Sequence, residues 1–167
     1  MKIQIALRTL LFALTLAFIS GSPVSVAHAA ERVILTVSGE SAGTGEALSI
    51  DLTLSEITAF EPDVLRTTTI WTDGEIEFKG VRLEKLFALI GLKTPARVRC
   101  KALNEYAIEV PMSDTERTTV LVAFAQDGAF MRVRDKGPLW IIYPRESGIR
   151  DAADKMIWQL RSMKALY

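Results

Sequence analysis

The sequence predicts an α+β fold, a single mixed domain rich in β-structure. Three observations carry that expectation. Most of the chain beyond residue 30 falls into short runs that alternate apolar with polar side chains or are rich in β-branched residues. Turn-forming pairs such as Asp73-Gly74, Asn104-Glu105 and Asp127-Gly128 separate these runs at hairpin spacing. Only one stretch, around Leu83 to Ile90, combines helical spacing of its apolar residues with a glycine just past its end.

In chain order, Arg32 to Val37 is a β-branched run bounded by Ser38-Gly39, and Ala47 to Leu52 alternates, so both read as strands. Thr53 and Glu56 stand at capping-box spacing, which predicts a short helix to about Phe60, stopped by Pro62. Val64 to Trp71 is rich in Thr and Ile and reads as extended. Thr72-Asp73-Gly74 supplies a turn into the alternating run Glu75 to Val81. Leu83, Leu86, Phe87 and Ile90 mark the strongest helix, capped by Gly91. Ala96 to Ala102 and Tyr106 to Pro111 form a second hairpin around Asn104-Glu105. Ser113 to Arg117 makes one capped turn, and Thr118 to Ala125 is a strongly apolar strand. Leu139 to Tyr143 reads as a buried central strand between Gly137-Pro138 and Pro144. Asp151 to Lys155 looks like a turn of helix, and Met156 to Met163 like a closing strand.

Composition narrows the chemistry. The chain has 167 residues, 49% hydrophobic and 24% charged, which suits one globular domain. Twenty basic residues face twenty acidic ones, so no cationic excess is left to neutralise a run of phosphates, and duplex nucleic acid is not expected as a partner. Residues 1–29 carry Lys2 and Arg8, then an apolar stretch from Thr9 to Ile19, then Ala27-His28-Ala29. This is the pattern of a secretory signal peptide cleaved after Ala29, and eleven apolar residues are too few to span a bilayer. The expected mature product is therefore residues 30–167, exported to the periplasm and not embedded in the membrane. Losing Lys2 and Arg8 leaves 18 basic residues against 20 acidic ones, net −2, and removes the only histidine. Ser-His-Asp and Cys-His machinery and most zinc sites then drop out. The single cysteine, Cys100, alternates with Arg99 and Lys101 and is expected to point inward.

Three segments carry a resemblance: Phe78-Lys79-Gly80-Val81-Arg82-Leu83, Leu103-Asn104-Glu105-Tyr106 before Ile108-Glu109-Val110-Pro111, and Arg134-Asp135-Lys136-Gly137-Pro138-Leu139-Trp140 running to Tyr143-Pro144. Their order and spacing resemble the molybdopterin-binding domain of the sulfite oxidase superfamily, from about Val33 to Leu160. Catalytic members hold molybdenum through a cysteine in the segment before the Gly-Val helix entry. Here that segment, Thr67 to Gly74, contains none. The arginine those enzymes commonly carry after the Gly-x-Pro turn is replaced by Trp140. The chain thus looks like the non-catalytic, periplasmic pterin-binding branch of the PruR type. The resemblance implies a reduced pterin as ligand, no molybdenum, and a partner in the periplasmic part of a membrane protein that makes or degrades cyclic di-GMP.

A pterin is a flat bicyclic ring with a donor-acceptor edge, so its site needs an aromatic face and a few polar edge readers. Trp71 is the candidate face, with a core tryptophan as the plainer alternative. Asn104 and Tyr106 follow as residues at the cofactor mouth, Tyr106 serving equally well as a half-buried strand residue. Arg66 is a candidate for the ring carbonyl, or else a solvated strand arginine. Asp73 and Asp114 are the carboxylates considered for the ring's amino group, and Arg134, Lys136 and Arg145 for a basic rim. Tyr143 completes the expected ligand-binding set, while Trp140 and Trp158, in apolar runs, are assigned to the core. Three functions compete on this basis: a ligand-binding module that signals through a partner, a molybdopterin-dependent oxidoreductase that lacks cysteine ligation, and a structural adapter whose pocket has closed.

Overall fold

A computed structural model describes residues 31–167. The expected signal peptide, with its cleavage site at Ala29, lies outside the described residues. Among the described residues, ten strands are interspersed with three short helices. They are β1 (Val33–Glu40), β2 (Ala47–Thr53), α1 (Leu54–Ala59), β3 (Asp63–Thr67), β4 (Ile76–Arg82), α2 (Leu83–Leu89), β5 (Arg97–Ala102) and β6 (Ala107–Pro111), then α3 (Asp114–Arg117), β7 (Leu121–Gln126), β8 (Ala129–Phe130), β9 (Trp140–Ile142) and β10 (Leu160–Leu166). Two 3₁₀ turns, Val133–Asp135 and Ala153–Lys155, flank β9 in sequence.

The strands form two five-stranded sheets. One runs β2-β1-β10-β5-β6; the other runs β3-β4-β7-β8, with β9 also pairing β7. Antiparallel pairing accounts for most of both, but β10 lies parallel to β1, with Thr36 opposite Ser162. The closing strand thereby ties the two ends of the domain into one sheet, a placement that alternation within β10 cannot encode.

Local signals act as their chemistry dictates. Thr53 and Glu56 form a reciprocal capping box: the Glu56 N–H donates to Thr53 Oγ1 and the Thr53 N–H to Glu56 Oε2. The Thr53 N–H also holds the Glu56 carboxyl below the usual range. Gly91 takes a positive φ of 73° just past α2, as a glycine cap requires. Gly80 is needed for a different reason. A Cβ there would collide with the Val122 carbonyl oxygen and the Ala123 Cα of the neighbouring strand.

The main core packs Leu35, Val37, Val98, Cys100 and Met163 of the first sheet against Val81, Leu83, Leu86 and Phe87. A second cluster, Phe78, Leu121, Ala123, Trp140 and Ile142, lies within the second sheet. Residues Leu121 to Ala125 are all buried, which explains why β7 reads as a continuous apolar run.

Two boundaries move from the expected ones. The extended run stops at Thr67 instead of Trp71, because threonine hydroxyls capture the backbone: the Thr69 N–H donates to Thr72 Oγ1 (2.9 Å) and the Trp71 N–H to Thr69 Oγ1 (3.1 Å). The closing strand begins at Leu160 instead of Met156, after the 3₁₀ turn and a Gln159 held at φ 52°. Two loops are thereby created, residues 68–75 and residues 143–159. No helix among the described residues is long and apolar enough to cross a membrane.

Candidate functional site

Both displaced loops meet at a cluster of three tryptophans. Trp71 comes from the β3–β4 loop, Trp140 from β9, and Trp158 from the segment before β10. Their rings touch edge to face, at centroid distances of 5.2 Å (Trp71–Trp158), 6.1 Å (Trp71–Trp140) and 6.3 Å (Trp140–Trp158). Such T-shaped contacts match positive ring edges to negative faces and hold the indoles in fixed planes. Phe78 backs Trp140 at 5.5 Å. Trp140 is fully buried and anchors the group, and its indole N–H donates to the Met156 carbonyl (3.3 Å). Trp71 and Trp158 are only half-buried, so each leaves part of its ring open. Trp158 is thus not the core residue its apolar surroundings imply; it sits where the chain turns to enter β10.

Trp71 separates two cavities. The smaller, about 340 Å³, lies between Trp71, Trp158 and Tyr106, with Ala102, Met156 and Ile157 for its apolar floor and Asn104 and Asp154 as polar groups. That size falls within the range of small-molecule sites. Asn104 has its Oδ1 committed to the Tyr106 N–H (3.2 Å), which leaves its amide NH₂ to donate to a ligand. Tyr106 is 57% exposed, an aromatic side chain on the open side of the slot. The larger cavity, about 900 Å³, opens on the other side of Trp71. Phe130, Met131 and Trp140 line it together with Asp73, Asp127 and Asp135, and with the cations Arg132, Arg134 and Lys136. Lys136 lies over the Trp140 ring at 5.6 Å from its centroid.

One wall of the smaller cavity is the 3₁₀ turn Ala153–Lys155, and a buried polar network fixes it. Lys155 Nζ donates to Asp114 Oδ2 (2.9 Å) and to Asp151 Oδ1 (2.8 Å), and the Tyr143 hydroxyl donates to the same Asp114 Oδ2 (2.9 Å). Burial opposes the Lys155 charge, but the two carboxylates together outweigh it and raise its pKa above the ordinary value. The same hydrogen bond from Lys155 lowers that of Asp151. Burial, then the hydrogen bond to Asp114, pushes the Tyr143 hydroxyl far above its ordinary range. Tyr143 therefore stays protonated and donates.

The expected ligand-binding residues divide accordingly. Trp71, Asn104 and Tyr106 converge on the smaller cavity, and Trp71, Asp73 and Arg134 on the larger. Arg66 lines neither; its guanidinium pairs with Glu77 (2.6 Å) on the exposed face of the β3–β4 hairpin. Tyr143 lines neither either, since its ring is fully buried in the core. Asp114, considered as a ring reader, is occupied by Lys155 and Tyr143. Arg145 stands apart from Arg134 and Lys136, with its backbone N–H donating to Thr67 Oγ1 (2.8 Å). Sequence reasoning missed Asp154, Met156, Ile157 and Trp158. Their signal was the stretch from Pro144 to Gln159, too long and too irregular for a simple connection, with Asp151 and Lys155 at ion-pair spacing inside it.

A family model, the oxidoreductase molybdopterin binding domain, matches residues 35–165. The chain belongs to that family. No curated protein matches it. The match spans both sheets and both loops that build the tryptophan cluster, so family membership and site geometry concern the same residues. The family binds molybdopterin, itself a pterin derivative. The smaller cavity fits such a ring: it offers aromatic surface, an amide donor and a carboxylate acceptor. The chain's only thiol lines neither cavity. Cys100 is fully buried in β5, and burial pushes its pKa up to about 12, so it presents no thiolate. Among the described residues no group of His, Cys, Asp and Glu is arranged to hold a metal ion.

Proposed function

We propose that this protein is a periplasmic pterin-binding module that works without metal catalysis and reports its ligand to a membrane signalling partner. The observation that carries this reading is the slot between Trp71, Trp158 and Tyr106, with Asn104 and Asp154 at its polar edge and no thiol among the described residues that line it. A flat heterocycle gains from burying its faces against aromatic rings and satisfies its edge through the amide and the carboxylate. Redox catalysis at a thiolate-held metal needs a soft ligand that this slot lacks.

Signalling draws on Trp71, which forms a wall of both cavities. A ring stacked in the smaller cavity fixes the Trp71 indole and thereby the wall of the larger one. A partner that contacts the larger cavity in one of those arrangements shifts the equilibrium by its differential affinity. The family resemblance points to the periplasmic part of a membrane enzyme of cyclic di-GMP turnover as that partner, and the leader at residues 1–29 supports export to the same compartment.

Titrating the mature chain with reduced pterins, while following tryptophan fluorescence, tests the ligand: saturable quenching is expected and is lost in Trp71→Ala. Molybdenum content of protein purified from its own periplasm tests the competing reading, a molybdopterin-dependent oxidoreductase. That reading draws on the larger cavity, where Arg132, Arg134 and Lys136 suit a cofactor phosphate. Stoichiometric molybdenum would establish it and overturn ours.

A further inference from the structure

The smaller cavity has an uneven charge. Asp154 is the only charged residue among those lining it, and none of the described residues lining it is cationic. The ammonium of the adjoining Lys155 is committed to Asp114 and Asp151. Asp154 itself has no side-chain partner among the described residues. Its backbone is held firmly nonetheless: its N–H donates to the Asp151 carbonyl (3.1 Å), and the N–H groups of Lys155 and Met156 continue the 3₁₀ turn. The buried network of Tyr143, Asp114 and Lys155 thus fixes the turn that places one free carboxylate at the mouth of an aromatic slot.

Resting on the pterin reading above, we infer that Asp154 is a specificity-determining residue, which reads the guanidine-like edge of the ring and restricts the site to ligands without an anionic substituent. A pterin presents two parallel N–H donors, the 2-amino group and the adjacent ring N–H, which suit the two oxygens of a carboxylate. Asn104, with its Oδ1 engaged by Tyr106, supplies the complementary NH₂ donor for a ring acceptor. A phosphate or carboxylate on the ring's side chain finds no cation in this cavity and meets the field of Asp154. The cations Arg132, Arg134 and Lys136 line the cavity on the other side of Trp71. The ligand class is therefore a pterin with an uncharged, hydroxylated or short apolar tail.

The test measures dissociation constants of the mature protein for three probes of one redox state: a pterin with a hydroxylated side chain, its phosphate monoester, and a pterin-6-carboxylate. The unphosphorylated probe is expected to bind at least tenfold more tightly than either anion. Asp154→Asn, isosteric and on an exposed turn, is expected to weaken the unphosphorylated probe roughly ten- to a hundredfold, the worth of a charge-assisted pair, while narrowing the gap to the anionic probes. Circular dichroism of the variant confirms that it folds. If the wild-type protein binds the phosphate ester as tightly as the uncharged probe, or if Asp154→Asn leaves the uncharged probe unchanged, the assignment of Asp154 fails and the pterin site stands. If none of the probes binds the wild-type protein, the pterin reading fails and Asp154 loses its role with it.

Discussion

Replacing Lys155 with Met removes an ammonium and keeps most of the aliphatic stem. In the native protein that ammonium bridges Asp114 and Asp151, and it shares Asp114 Oδ2 with the Tyr143 hydroxyl. The side chains of Lys155 and Asp114 are 12% and 8% exposed, so the variant leaves a carboxylate almost out of water with one neutral donor. Breaking a buried pair from one side costs roughly 3–5 kcal/mol. Partial access of water to Lys155 places this case at the lower end, about 3 kcal/mol. With a urea dependence of about 2 kcal/mol per molar, the unfolding midpoint falls by about 1.5 M. A double-mutant cycle with Asp114→Asn isolates the pair: the double variant is expected to be more stable than the sum of the single losses by at least about 1 kcal/mol. The pH dependence has a definite sign. Because the folded pKa of Lys155 is raised, its contribution is complete below the unfolded value near pH 10 and is lost as pH rises through the folded value. A midpoint shift under about 0.3 M, or strict additivity in the cycle, would refute the view that this network fixes the turn.

Further outcomes follow from the same geometry. Gly80→Ala is expected to cost about 3 kcal/mol, or roughly 10 °C in melting temperature, because the new Cβ meets backbone atoms of β7 instead of movable side chains; unchanged calorimetry would count against the close approach. Tyr106→Ala is expected to leave stability within about 0.5 kcal/mol, since the side chain is 57% exposed, while weakening pterin binding in the fluorescence titration. Cys100 is expected to resist a thiol-reactive dye until the chain unfolds, its thiol being buried with a pKa raised to about 12; labelling at the rate of a free thiol in native buffer would contradict that placement. Arg66→Ala is expected to bind pterins as the parent does, because its guanidinium faces Glu77 and lines neither cavity.

The sequence alone was enough for the elements whose signals are local. The capping box at Thr53 and Glu56, the glycine after α2, the alternation of β2 and β5 and the unbroken apolar run of β7 each fold as their own side chains dictate. It also determined the residue types available to a site: one thiol, three tryptophans, and no histidine beyond position 28. The order of the motifs was enough for the family, because Gly80 and Gly137-Pro138 are sites where backbone packing restricts the residue. Proximity, in contrast, came from the packing of the folded chain. Trp71, the candidate ligand face, and Trp158, which reads as a core residue, are far apart in sequence, yet they meet edge to face with an open slot beside them. Asp114 and Asp154 are equivalent as letters; one is consumed by Lys155 and Tyr143, the other left free at a cavity mouth. Likewise β10 has the pattern of any strand, and its parallel place beside β1 follows from the packing of both sheets. Periodicity records which face a side chain takes, a property of a few neighbouring residues. Which distant side chains then share a cavity depends on how whole sheets and loops exclude water together, and no local pattern carries that information.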